Sequence, residues 1–192
     1  MQRSAIGLLL ALAILAASLA TEAQQPTHVH RIGVLLIGSQ GRDLFMGVFL
    51  EEMRALGYVE GHTLVLEYRY AEEQFERLPT LAAELARLKV DVLLAVITPA
   101  ALALKQATTT IPIVMMGVGD PVGSGLVASL ARPGGNVTGV SSLAPELTGK
   151  QLEFLKNALP TVSHVALLCN PANPANALIV QEADVAAQRL GV

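Results

Sequence analysis

From residue 31 the chain alternates between short apolar runs and stripes of helical period. Residues 32–37 are apolar throughout, which predicts a strand covered on both faces. Leu44, Phe45, Val48, Phe49, Met53 and Leu56 then recur at helical spacing, and Gly57 is placed to end that helix as a left-handed cap. A turn over 58–62 leads to an alternating second strand at 64–70, and Leu78, Leu81, Ala82, Leu85 and Leu88 stripe a second helix. Residues 90–97 predict a third buried strand. Thr98 follows as N-cap and Pro99 at the first helical position, opening a helix over 100–107. A fourth strand is expected at 111–117, with Pro112 tolerated at its start. Next come a short helix over 122–131, stopped by Arg132-Pro133-Gly134-Gly135, and a fifth strand at 136–140. Pro145 opens a helix striped by Leu152, Leu155 and Leu159, before a buried strand at 164–169 and a helix at 174–190. Such alternation predicts an α/β fold with a parallel sheet and right-handed crossovers. The last strand and helix have too few partners to bury themselves, so the expectation is one complete α/β lobe, 31–142, and the truncated opening of a second, 143–192.

Ahead of this alternation lies a segment of a different kind. Arg3 is followed by residues 6–19 without a charge, and Thr21 and Ala23 then supply the small residues that signal peptidase reads. Residues 1–23 are therefore expected to be a cleaved signal peptide, with Ser18 and Ala20 marking a second possible cut, and 24–30 a disordered leader. A membrane anchor needs about 20 apolar residues, and this run is shorter. No cysteine follows it to carry a lipid, so the expected product is a soluble periplasmic protein without membrane insertion.

Thirteen Lys and Arg against 16 Asp and Glu give a net charge of −3 without basic clusters, which argues against nucleic acid as a partner. Cys169 is the single cysteine, so no intramolecular disulfide can form, and its apolar run suggests a buried, inert thiol.

Open parallel sheets bind ligands beyond the carboxyl ends of their strands. The candidates there are Ser39 and Gln40, Thr98 and Pro99, Gly119 and Asp120, Ser141 and Ser142, and Asn170. They are hydroxyls, amides, backbone N–H groups and one carboxylate, suited to an anionic ligand group at a helix N-terminus and an ammonium at Asp120. Each also has a purely local role: Thr98 as a cap, Asp120 and Asn170 as turn starters before proline, Ser39 and Gln40 as loop residues. His28, His30, His62 and His164 share no metal-binding spacing, and neither a nucleotide-binding glycine motif nor a nucleophile elbow occurs. Glu51-Glu52 and Glu72-Glu73 read as solvated surface. Binding groups without an acid, base or nucleophile indicate a receptor with no cofactor, rather than an enzyme.

Several stretches together resemble a known family. They include Leu56-Gly57-Tyr58-Val59-Glu60-Gly61, Thr98-Pro99-Ala100-Ala101-Leu102-Ala103, Ile111-Pro112-Ile113-Val114 and Asn170-Pro171-Ala172-Asn173-Pro174. The longest is residues 117–139, GVGDPVGSGLVASLARPGGNVTG. These resemble the ABC-transporter substrate-binding proteins of the tryptophan/tyrosine uptake type. The resemblance implies a type I periplasmic-binding-protein fold, a hinge near 140–147, and a small solute such as an amino acid clamped between two lobes for a membrane permease. Carried over by position, it implies ligand contacts at Ser39, Thr98, Asp120, Ser141 and Asn170. Two other functions remain open on residues alone: a ligand-sensing input domain of a signalling protein, and an exported α/β hydrolase.

Overall fold

The computed structural model describes residues 29–41, 44–142 and 144–192, so the expected signal peptide lies outside the described residues. The strands are β1 (His30–Leu36), β2 (Leu64–Tyr70), β3 (Val92–Val96), β4 (Ile113–Val118) and β5 (Val137–Ser141). They form one parallel sheet in the order β2-β1-β3-β4-β5. The helices are α1 (Leu44–Ala55), α2 (Leu78–Arg87), α3 (Thr98–Ala107), α4 (Ala144–Ala158) and α5 (Ala175–Leu190).

Side-chain alternation in the strands divides the core into two layers. Leu35, Leu93, Ala95, Ile113, Met115 and Val137 face α2 and α3, meeting Leu81, Leu85, Ala101 and Leu104. Val34, Leu36, Leu94 and Val96 face the other way, toward Met46 and Phe49 of α1. A strand dressed on both faces must be apolar at every position, which is why 32–37 reads as an unbroken run.

The stripe expected for α1 is shifted. Met46 is buried, whereas Phe45 and Val48 are each 63 % exposed and Leu56 is 72 % exposed. The helix is apolar around much of its circumference, so periodicity alone left its inward face ambiguous. Its end matches expectation. Gly57 takes φ 89, and Tyr58 N–H donates to Met53 O while Gly57 N–H donates to Arg54 O, the two bonds of a Schellman cap.

Two predicted elements do not form. Residues 122–131 make turns, because Leu126 and Val127 N–H both reach back to Pro121 O and Lys105 Nζ donates to the Gly125 and Leu126 carbonyls. Gly125, at φ 73, breaks the remaining helical run. Residues 162–170 have no strand partner among the described residues and remain without regular structure, with Leu168 fully exposed. A strand exists only through a neighbour's backbone, so an apolar run without one stays unpaired. Cys169 is accordingly only half-buried, not sealed in a core. That segment and the packed pair α4 and α5 border an apolar groove of about 500 Å³.

β5 joins the sheet through an irregularity. Met115 pairs with Gly139 and Val118 with Ser141, with a register shift between. Gly139 sits at φ 141, with Met115 backbone so close that no side chain fits.

Candidate functional site

In this strand order the chain steps outward from β1 to β2, then returns past β1 to β3. The reversal leaves a crevice between the carboxyl ends of β1 and β3, where open α/β sheets hold ligands. The loop after β1 places Ser39 half-buried and Gln40 exposed at one side of it. Across it, β3 runs through Ile97 into α3.

Ile97 is the most strained residue of this edge. A β-branched side chain at φ 65, ψ 167 occupies a region that glycine almost alone populates, at a cost of about 1–3 kcal/mol. Its N–H is held by Met116 O at 2.8 Å and its carbonyl accepts Ala101 N–H at 3.2 Å, which fixes the kink. Thr98 is therefore already inside α3 and does not cap it, contrary to the sequence expectation. Its hydroxyl, 1 % exposed, instead accepts the Gly119 N–H at 3.3 Å. That bond ties the end of β3 to the end of β4, and Pro99 lies buried beside it.

Asp120 serves its own turn. Its Oδ1 accepts N–H groups from Val122 at 3.0 Å and Gly123 at 2.8 Å, so one carboxylate oxygen holds the loop. Ser142 N–H donates to Val118 O at 2.8 Å, which brings the end of β5 against the end of β4. Ser141 is half-buried and lines a separate small cavity with Met115, Val127 and Gly139. Asn170 is exposed and folds an Asx turn, its Oδ1 accepting Ala172 N–H at 3.0 Å. Asn173 repeats the motif on Ala175 N–H at 3.1 Å, starting α5.

These two turns deliver Ala175 onto the sheet edge. A β-carbon at Gly119 would lie 3.2 Å from Ala175 Cβ, a tight contact that crowds the start of α5, and 3.7 Å from Pro145 Cδ, an ordinary one. Thr98, Gly119 and Ser142 are thus brought together around the end of β4, with Ser39 and Gln40 one strand position beyond β3.

Glu72 and Glu73 are exposed, as the sequence suggested, but their backbone was not foreseen: they occupy φ 54 and 63 at the end of β2. Glu72 pairs with Arg77 at 2.8 Å, whereas Glu73 Oε1 lies over Gly38. Composition carries no signal for a left-handed glutamate. Among the described residues no three His, Cys, Asp or Glu side chains gather as a metal site.

The model of the ABC transporter substrate binding protein family matches residues 31–192. The chain belongs to that family. A tyrosine-binding protein of Clostridioides difficile (strain R20291) is 34 % identical over 122 residues, 64 % of this chain and 35 % of that protein. A conserved domain protein from Vibrio cholerae superposes with TM-score 0.78 at 35 % identity. An ABC domain from Streptococcus pneumonia in complex with L-Trp superposes with TM-score 0.77 at 29 % identity. Each of these two superpositions covers 85 % of this chain and 55 % of the solved one, so the chain spans about half their length. The expected α/β lobe of the periplasmic-binding-protein kind is therefore met, and so is the resemblance to the aromatic amino-acid group. No described helix is long and apolar enough to cross a membrane.

Proposed function

We propose that this protein is the solute receptor of an ABC importer, binding a small molecule, an amino acid, in the crevice at the carboxyl edge of its sheet. The observation that carries the reading is the family match across residues 31–192. It is supported by what two similar proteins bind, tyrosine by name in one and L-Trp in the other. Residues 31–142 form the first lobe, 140–147 contribute to the hinge, and the second lobe starts at 143. Ser39, Gln40, Thr98, Pro99, Gly119, Asp120 and Ser142 line the first lobe's side, and Ser141 and Asn170 lie at its margins. The N–H groups opening α3 suit the ligand carboxylate. Ligand shifts the population toward the closed lobes, which the permease then engages. Cleavage of residues 1–23 leaves the receptor in the periplasm. The role is capture without chemistry.

A thermal-shift panel of amino acids, nucleosides and sugars on the full-length protein tests this. Stabilisation by aromatic amino acids is expected, and a panel in which only sugars or nucleosides stabilise would sink the assignment.

A further inference from the structure

The turn after β2 is pulled across the end of β1. Ala71 N–H donates to Leu36 O at 2.9 Å, Glu72 N–H to Gly38 O at 3.3 Å, and Glu73 N–H to Ile37 O at 2.8 Å. Making all three bonds holds two consecutive glutamates at positive φ, a conformation natural to glycine and not to glutamate. The two carboxylates then meet different fates. Glu72 is neutralised by Arg77 at 2.8 Å. Glu73 is exposed, its Oε1 lies 3.8 Å from where a Gly38 β-carbon would stand, and it has no hydrogen-bond or ion-pair partner among the described residues. The other described carboxylate at this edge, Asp120, gives one oxygen, Oδ1, to two backbone N–H groups and keeps its Oδ2 for a ligand.

We infer that Glu73 is a specificity-determining residue that receives the ammonium group of an amino-acid ligand. The inference rests on the function proposed above. A zwitterion that sets its carboxylate toward the N–H groups opening α3 must turn its ammonium away from that helix. Away from α3, across the end of β1, lies Glu73. Neighbouring strands are about 4.8 Å apart, so a glutamate side chain on the β2 loop reaches the end of β1. The left-handed backbone keeps the carboxylate over Gly38, where the absence of a side chain leaves room for it. Glu73 thus joins Asp120, which the sequence suggested, as an ammonium partner at this edge.

Calorimetric titration of the full-length protein with L-tyrosine and with its deaminated counterpart, 3-(4-hydroxyphenyl)propanoate, tests the assignment. Glu73→Gln is expected to weaken tyrosine about 10- to 100-fold, the value of a hydrogen bond to a charged group, and to leave the deaminated acid unchanged. Glu73→Gly is expected to lose tyrosine equally while its melting temperature rises, because glycine relaxes at this φ. Glu72→Gln should leave both affinities alone. Tyrosine binding by Glu73→Gln at wild-type strength, or equal weakening of both ligands, overturns the role of Glu73 alone. A wild-type protein that binds no amino acid overturns the reading of the site, and this assignment with it.

Discussion

Replacing Gly139 with alanine tests how β5 is joined to the sheet. An added β-carbon would stand 2.0 Å from the Met115 carbonyl oxygen, 2.7 Å from its nitrogen and 2.9 Å from its carbonyl carbon. All three are backbone atoms, so no rotamer relieves the overlap, and β4 and β5 must part where Met115 pairs with Gly139. A side chain at positive φ costs about 1–2 kcal/mol, and each ladder hydrogen bond lost about another 1 kcal/mol. With one or two bonds lost the total is about 3 kcal/mol. At a typical urea dependence of about 2 kcal/mol/M, the midpoint falls by about 1.5 M. Urea unfolding followed by far-ultraviolet circular dichroism measures this directly. Gly135→Ala is the control, since nothing lies within 4 Å of its β-carbon position. A Gly139→Ala loss below about 1 kcal/mol, smaller than its backbone conformation alone should cost, would refute the described join.

Three further substitutions have signs fixed by the same structure. Gly47→Ala, on α1 with open space at the β-carbon, should stabilise by about 0.5–1 kcal/mol in the same urea assay, since glycine is a poor helix former. Thr98→Val keeps the buried shape and removes the acceptor of the Gly119 N–H, so it should cost about 1–3 kcal/mol and weaken amino-acid binding in a thermal-shift titration. Lys105→Met strips the donor from the Gly125 and Leu126 carbonyls and should cost about 1–2 kcal/mol. The 121–127 loop should then be cut faster in limited proteolysis.

The sheet was legible in the sequence because its strands carry their burial on both faces. Residues 32–37 and 90–97 could be placed within two or three residues of β1 and β3 for that reason. Gly57 was legible because a helix stripe stopped there. The failures arise where a residue's partner is remote. The run at 164–169 has strand composition, but no described backbone pairs with it. Residues 122–131 have helical spacing, yet Lys105, about 20 positions away in sequence, claims their carbonyls. Thr98 looked like a cap because Pro99 follows it, and only the Ile97 kink moved the helix start onto it. The sheet rule alone put Ser39, Thr98 and Gly119 at the ends of β1, β3 and β4, where the structure has them. That Glu72 is paired while Glu73 is not depends on backbone dihedrals and on Arg77, and neither is written in local composition.

The central claim is that this sheet edge holds an amino acid, and a crystal structure of the full-length protein grown with L-tyrosine or L-tryptophan tests it most directly. The account predicts the ligand carboxylate at the N–H groups opening α3 and its ammonium beside Glu73, over the ends of β1 and β3. Ligand density away from those strand ends, in a protein that binds the amino acid in solution, would contradict it.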